Sequence, residues 1–375
     1  MAANFQSEDG DIIDCIDIHK QPAFDHPALK NHTIQMRPSF NLPEDTSRQE
    51  NKSNSKQAVA MAFQTWQASG SCPEGTIPII RFRKTLRGSS VGKKNMLITG
   101  NRNGSSFHFN PSAEAQNNVS IGFLPNRASA TLVTVGYNYI GASADINVWK
   151  PYVQRPDEYT TAQIWLQAGP GNNFESVEAG WVVNPKLYGD SDTRFFAYWT
   201  KDGYKTTGCF NVFCSGFVQI SRKIVIGAKL SPISSKHGPQ YQISINILQD
   251  QATKNWWLTF GGERVGYWPG SMFNYLSHTA TLIQWGGQVY SESVKKTPHT
   301  KTAMGSGSFA SGLRGSACFI SHPRIMDFSK SFKYPEWVGT WADEDYCYNP
   351  LNYREGIVGE PVFYFGGPGQ NPNCP

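Results

Sequence analysis

The chain has 375 residues, of which 39% are hydrophobic and 17% charged, enough for one large or two ordinary domains. The formal net charge of +5 is too mild for a nucleic-acid binder or a membrane-surface protein, and no run of about 18 apolar residues predicts a membrane span. The opening residues, MAANFQSEDGD, lack the basic and apolar regions of a signal peptide.

Residues 1 to about 125 differ in composition from the remainder of the chain. They begin with an acidic stretch, and residues 41–57 and 100–125 are polar and typical of loops. The spacing of Val59, Phe63 and Trp66 predicts a helix within residues 56–67. We interpret the basic run at 81–94 as a solvated surface or a protease-sensitive loop.

From about residue 126 onward, short apolar and aromatic runs alternate with turn residues. They recur about every ten residues with no long helical pattern, which predicts an all-β domain. Aromatic residues at 13%, with 35 glycines and 23 prolines, favour strands and tight turns over helices. A sandwich and a barrel both fit this pattern.

The seven cysteines include no CxxC pair and no zinc-binding spacing. Their positions predict three disulfides with Cys318 left over, and disulfides indicate an oxidising compartment. The alternative is seven reduced, buried cysteines. Four N-x-S/T sequons fit secretion. The predicted pairs are Cys15–Cys72, Cys209–Cys214 and Cys347–Cys374, and the sequons lie at Asn31, Asn51, Asn103 and Asn118.

Several catalytic motifs are missing from the sequence. HExxH, a P-loop and GxGxxG do not occur, which counts against zinc-protease, NTPase and dinucleotide-binding functions. The one GxSxG, around Ser90, lies between basic residues rather than after an apolar strand, so it does not predict a nucleophile elbow. No metal or cofactor is expected.

Two predicted strands, SVEAGWVV and TLIQWGGQVY, place a polar residue and a glycine on the same face. Side chains alternate along a strand, so Glu178 shares a face with Gly180, and Gln288 shares one with Gly286. Glycine inside a strand often marks close approach by another backbone or by a ligand. The alternative is that Glu178 faces solvent and the glycines mark bulges.

A third strand, TTAQIWLQAG, presents Gln163, Trp165 and Gln167 on one face. Two amides around one large ring make a poor core face. They indicate the floor of a cleft.

Taken in order, these and other runs resemble the neprosin family, plant glutamic endopeptidases that cut after proline. The resemblance covers nearly the whole chain. The N-terminal part is similar to the family's activation peptide, through DIIDCIDIHKQPAFDHPALKNHTIQMRPS and SCPEGTIPI. The remainder is similar to the peptidase domain, through INVWKP, QIWLQAG, VEAGW, RFFAYWT, DGYKTTGCFNVFCSGFVQ, NWWL, VGYWP, MGSGSF and YFGGPG.

The resemblance implies a secreted or vacuolar, monomeric zymogen activated in acid. Residues 1–125 are then a pro-segment with little helix that inhibits its own peptidase domain, residues 126–375. That domain is expected to be a concanavalin-like sandwich of two antiparallel sheets. Its cleft is expected to be shaped by Gln163, Trp165, Gly180, Trp181, Trp285 and Gly286.

The family's catalytic centre is a water held by two glutamates. The first falls on Glu178, whereas the second falls on position 288, where this chain has glutamine. An amide cannot transfer a proton, but it can donate a hydrogen bond to an oxyanion. The fungal glutamic peptidases pair a Glu with a Gln in this way.

Three explanations for Gln288 remain open: a natural divergence, a pseudoenzyme, or a substitution made to trap a zymogen. Two functions follow from them. One is a glutamic peptidase that cleaves proline-containing substrates in acid. The other is an inactive protein that binds proline-rich peptides or cell-wall glycans in an aromatic cleft.

Overall fold

The computed structural model describes residues 4–40, 59–81, 106–108, 124–355 and 359–375. The predicted loop at 41–57, nearly all of the basic run and the GxSxG at Ser90 lie outside these residues. So do the sequons at Asn51, Asn103 and Asn118, whereas Asn31 is described and exposed. In the described part of the chain, no helix is long and apolar enough to cross a membrane.

The regular structure is almost entirely β. The strands are β1 Asn4–Gln6, β2 Ile12–Asp17, β3 Ala60–Met61, β4 Phe63–Gln64, β5 Thr76–Ile80, β6 Ser106–His108, β7 Arg127–Tyr139, β8 Gly141–Asn147, β9 Tyr159–Ala168, β10 Glu175–Val183, β11 Arg194–Thr200, β12 Cys209–Phe210, β13 Val218–Gln219, β14 Leu230–Ser231, β15 Tyr241–Gln249, β16 Trp256–Phe260, β17 Glu263–Trp268, β18 Ala280–Tyr290, β19 Cys318–Met326, β20 Phe332–Lys333, β21 Gly339–Ala342, β22 Asn349–Tyr353 and β23 Val362–Gly366. The helices are α1, Pro185–Tyr188, and the 3-10 turns Ile18–Lys20, Pro22–Asp25, Pro27–Leu29, Thr65–Ser69, Gly171–Asn173, Gly270–Met272 and Ala310–Gly312.

Two large sheets face each other. The first has the order β12-β11-β10-β9-β18-β7-β21-β6, with every neighbouring pair antiparallel. The second follows β13-β17-β16-β15-β8-β19-β23-β22, with β20 beside β19 and β3 beside β15. The main core contains residues of both, such as Ile164 and Trp285 from the first and Ile146 and Ile245 from the second. The expected antiparallel β-sandwich is therefore confirmed.

The N-terminal segment packs against the sandwich at several points. Strands β1, β2 and β5 form a small antiparallel sheet, β4 pairs with β14, and β3 adds to β15 in parallel. Ala23 and Leu29 are buried in the main core. A second cluster joins Trp66 of the segment to Val225 of the sandwich.

The helix predicted over residues 56–67 is wrong in its described part, which forms β3, β4 and the start of a 3-10 turn. The Gln64 side chain bonds both backbone groups of Val225, at 2.6 and 2.9 Å. These long-range bonds outweigh the apolar spacing, and Phe63 is half exposed. The loop prediction for 100–125 is also wrong at β6, which pairs with β21.

All three predicted disulfides form: Cys15–Cys72, Cys209–Cys214 and Cys347–Cys374. Cys318 is free and buried, as predicted. The first disulfide lies within the N-terminal segment, and the other two lie within the sandwich.

Candidate active site

The centre of the first sheet is a row of three residues in register. Gln163 on β9 lies opposite Gly180 on β10 and opposite Gly286 on β18. A Cβ at Gly180 would lie 2.0 Å from the carbonyl oxygen of Ala162, and one at Gly286 would lie 2.2 Å from that of Ala130. The glycines therefore mark close approach by neighbouring backbones. Because glycine has no side chain, Gln163 has no directly opposite side chain on β10 or on β18.

Glu178 and Gln288 lie diagonally on either side of this row. Glu178 pairs with Trp165 and Gln288 pairs with Thr161, so they flank Gln163 from opposite ends. Both face one cavity of about 10 Å³, which is close to the volume that one water molecule needs. Its lining residues are Arg127, Tyr159, Thr161, Gln163, Glu178, Phe196, Tyr198, Phe210 and Gln288.

The Glu178 carboxyl is almost fully buried, at 3% exposure. It accepts hydrogen bonds from the Tyr204 hydroxyl, the Ser176 hydroxyl and the Gln163 amide. Burial raises the pKa of Glu178, while these donors and the charge of Arg127 oppose the rise. The carboxyl is thus fixed in place and has partners for its ionised form, which suits a group that must exchange a proton.

The Gln288 amide has a defined direction. Its Oε1 accepts a hydrogen bond of 2.8 Å from Arg127 Nη1, and its Nε2 donates one of 3.3 Å to Ser129 Oγ. A guanidinium can only donate, so the amide oxygen must face Arg127 and the N–H groups must point away from it. Gln288 therefore presents a donor, and no acid, to the cleft.

The Arg127 guanidinium lies 4.0 Å over the ring of Tyr204. Burial works against its charge, but Tyr159, Tyr204, Tyr198 and Glu178 together raise the pKa of Arg127. Arg127 is therefore a permanent cation next to both Glu178 and Gln288.

A second cavity, of about 30 Å³, continues along the sheet from Gln288. Trp165 and Gln167 line it, in the place predicted for a cleft floor. Its lining combines aromatic rings with the amides of Gln167, Gln284 and Gln288. The full lining is Leu124, Ser129, Thr131, Trp165, Gln167, Phe174, Tyr204, Gln284, Gln288, Trp341 and Asp343.

Trp181 and Trp285 do not line the cleft, and that expectation is wrong. Both are fully buried in the core between the sheets. Their indole N–H groups donate to the carbonyl oxygens of Asn147 and Ser143, at 2.9 and 3.2 Å. Strand alternation places them on the face opposite Glu178 and Gln288, so they support the sheet from behind.

Three residues of the site were missed from the sequence: Arg127, Tyr204 and Asp343. Arg127 begins β7, and Asp343 follows β21, which pairs with β7. Asp343 accepts from Ser129 N at 2.8 Å; burial raises the pKa of Asp343, and the charge of Lys295 opposes that rise. Only long-range strand pairing brings these side chains to Gln288, so no local pattern marks them.

Tyr204 lies in the turn after β11 and does leave a local signal. Its φ of 64° is unusual for a non-glycine residue, and its hydroxyl donates a hydrogen bond to Glu178. Asp202 holds the turn: although burial opposes it, hydrogen bonds from Thr206 and Thr207 lower the pKa of Asp202 to about 2. An Asp two residues before the Tyr, with two threonines following, is typical of such a turn.

Among the described residues, His299, Cys347 and Cys374 come close enough together to share a metal ion. The two cysteines are bonded to each other, so neither offers a thiolate.

Two family models match this chain. The family model for neprosin matches residues 156–368, more than half of the chain, and that for the neprosin activation peptide matches residues 4–116. The chain belongs to the neprosin family. Its N-terminal segment therefore corresponds to the activation peptide of that family, and its sandwich carries the neprosin domain.

Two solved structures are similar to this neprosin-family chain at low identity. Scytalido-glutamic peptidase with a peptide-based transition state analog is 12% identical over 64% of this chain and 97% of that chain, with a TM-score of 0.33. The β-porphyranase BpGH16B from the human gut bacterium Bacteroides plebeius is 9% identical over 65% of this chain and 94% of that chain, with a TM-score of 0.23. Neither likeness is close enough to carry an argument about function.

Proposed function

We propose that this chain is the zymogen of a glutamic-type endopeptidase that hydrolyses proline-containing polypeptides in acid. The observation that supports it best is the water-sized cavity between the buried Glu178 carboxyl and the oriented Gln288 amide. In this proposal Glu178 is the general base and Gln288 is the donor to the oxyanion.

The reaction uses one carboxyl twice. The water oxygen bonds to the scissile carbonyl carbon, and the water proton passes to Glu178. The carbonyl oxygen becomes an oxyanion and accepts a hydrogen bond from Gln288 Nε2. When the C–N bond breaks, the proton held by Glu178 passes to the leaving nitrogen, which restores the carboxylate.

The two residues contribute by different amounts. A single oxyanion donor is worth about 2.7–4 kcal/mol of transition-state stabilisation in other enzymes. The absence of a second carboxyl removes a proton donor worth on the order of a hundred- to ten-thousand-fold in rate. We therefore expect turnover well below that of a centre with two glutamates.

The remaining cleft residues position the groups that react. Gln163 holds Glu178 through its amide, and Gly180 and Gly286 keep the adjacent surface open to a substrate backbone. Trp165 and Trp341 line the groove beyond Gln288. Trp165 is buried, whereas Trp341 is partly exposed, so Trp341 is proposed to offer a flat face to a proline ring.

The N-terminal segment is proposed to be the inhibitor that is removed. Asp11 pairs with Arg194 at 2.8 Å, and Gln35 bonds Asp250 at 2.8 Å, which anchors the segment to the sandwich. Of the described residues before 126, Leu124 alone lines either cavity. Inhibition is thus proposed to act at the junction near residue 125, just before β7 begins.

Three disulfides and an exposed sequon at Asn31 support a secreted, extracellular or vacuolar protein, and a monomeric state remains a prediction. Glycosylation at Asn31 remains a prediction.

The test is a peptide assay at acid pH on the native chain, Gln288→Glu and Glu178→Gln. Native protein is expected to cleave slowly, Gln288→Glu at least a hundred-fold faster, and Glu178→Gln not at all. If neither the native chain nor Gln288→Glu cleaves, the placement of the site is wrong.

A second candidate is a protein that binds without cutting. Gln288 favours it, because the amide keeps the shape of the cleft and removes an acid. Cleavage by Gln288→Glu, together with binding but no cleavage of a proline-rich peptide by the native chain, would select this candidate.

A further inference from the structure

We propose that Arg127 is a positioning residue of the active site, which sets the direction of the Gln288 amide and supplies the positive charge opposite Glu178. This inference rests on the proposed function. The inference deepens that proposal, because it names the group that adapts the first cavity to a single carboxyl.

The first argument is hydrogen-bond direction. A free glutamine amide can turn over, so that either its oxygen or its nitrogen faces a substrate. Arg127 Nη1 donates to Gln288 Oε1 at 2.8 Å and removes that choice. The Gln288 N–H groups then point toward Ser129 and the second cavity, where a substrate carbonyl can reach them.

The second argument is charge balance. Arg127 and Glu178 are the charged side chains that line the first cavity. Tyr159 and Tyr198 also line it, and Tyr204 donates to Glu178. These three phenols remain neutral at working pH. With glutamine at 288, one cation faces one carboxylate. Burial disfavours an ionised Glu178, and Arg127 is the full positive charge that opposes this effect.

The third argument is the way the guanidinium is held. Its central carbon lies 4.0 Å from the ring centroid of Tyr204 and 5.9 Å from that of Tyr290. Tyr204 also donates to Glu178, so one ring both supports the cation and binds the base. A residue that only filled space between two rings would need neither the charge nor the Gln288 contact.

Two variants separate charge from shape. Arg127→Met keeps length and apolar contact but removes the cation, whereas Arg127→Lys keeps the cation and loses the planar donor geometry. The matched control is Arg155→Met, because Arg155 is an exposed arginine paired with Asp157 outside the cleft.

The expected results differ in kind. Glu178 must be ionised to act as base, so the acid limb of the kcat profile follows the pKa of Glu178. Arg127→Met should move that limb upward by about one pH unit, the effect of a charge several ångströms away inside a protein. Arg127→Lys should leave the limb in place and lower kcat about tenfold with little change in KM. Arg155→Met should match the native profile.

A titration of Glu178 makes the inference independent of turnover. The Glu178 carboxyl signal can be followed by carbon NMR in the full chain and assigned by its loss in Glu178→Gln. Its midpoint should rise in Arg127→Met and stay close to native in Arg127→Lys, even in a preparation that cleaves nothing. An unchanged midpoint in a folded Arg127→Met would overturn the inference. If Arg127→Met does not fold, native kcat in Arg127→Lys would overturn it instead.

Discussion

Asp250 is the acidic anchor of the N-terminal segment, and Asp250→Asn should loosen that segment without touching the cleft. The carboxylate lies just after β15 and is fully covered. It accepts bonds from Gln35 Nε2 and Ser39 N, each at 2.8 Å, and a further bond from the Ser39 hydroxyl. An amide at this position keeps the shape but loses the charge and one acceptor.

The size of the effect follows from the acidity of the group. Burial would raise the pKa of Asp250, but the bonds from Ser39, Gln35 and Ala252 lower it to about 2 from an ordinary 3.8. That difference corresponds to at most about 2.5 kcal/mol. The bond from Ala252 lies within the sandwich and survives undocking, so we expect a smaller loss, of about 1–2 kcal/mol, in docking free energy.

The same group predicts a pH window. Its pKa is lower in the docked state, so its contribution to docking is present above about pH 4 and is lost as the pH falls toward about 2.

His26 and His32 change the docking free energy at higher pH. Burial lowers the pKa of both, so protonation below about 6.5 weakens docking. Acid therefore favours release of the segment in two stages.

Hydrogen exchange at neutral pH measures the docking directly. Peptides covering residues 22–40 should exchange about 5–30 times faster in Asp250→Asn, because exchange follows the open population. The matched control is Asp327→Asn. Burial also opposes ionisation of Asp327, and Lys333 and Ser329 lower its pKa to about 2, but neither belongs to the segment. Equal exchange in native protein and Asp250→Asn would refute the reasoning.

Two further changes test the centre of the sheet. Tyr204→Phe removes a donor that favours ionised Glu178, so the acid limb of activity should move up by about one pH unit, read from a kcat profile. A profile identical to native would show that this hydrogen bond does not tune the base. Gly180→Ala places a Cβ about where the Ala162 carbonyl oxygen lies and should cost at least about 2–3 kcal/mol by thermal unfolding. Gly359→Ala, whose Cβ would meet nothing closer than 3.8 Å, serves as its control, and equal losses in the two would contradict the close-packing argument.

The centre of the candidate site could be predicted from the sequence because that part of the geometry is local. Alternation along β9, β10 and β18 is enough to place Gln163, Glu178 and Gln288 on one face. The same alternation already separated Trp181 and Trp285 from them. Assigning these two rings to the cleft disregarded that separation, and the strand alternation was the better guide.

What could not be predicted depends on long-range pairing. Arg127 and Asp343 reach Gln288 only because β7 lies between β18 and β21. The predicted helix failed for the same reason, since Gln64 exchanges hydrogen bonds with Val225, far along the chain. The boundary near residue 125 stays a prediction: the two family matches leave residues 117–155 between them, and β7 and β8 begin within that interval.

The burial of Ala23 and Leu29 in the main core affects how readily the sandwich would self-associate once the segment is removed. Phe24, Ile34 and Phe40 pack against the same core, so loss of the segment would expose apolar surface on the sandwich. Such patches drive self-association, and repulsion between like charges opposes it. Residues 126–375 hold 21 Lys and Arg against 18 Asp and Glu, a net charge of +3 at neutral pH that rises in acid. The conditions that release the segment would therefore also keep the newly exposed domain dispersed.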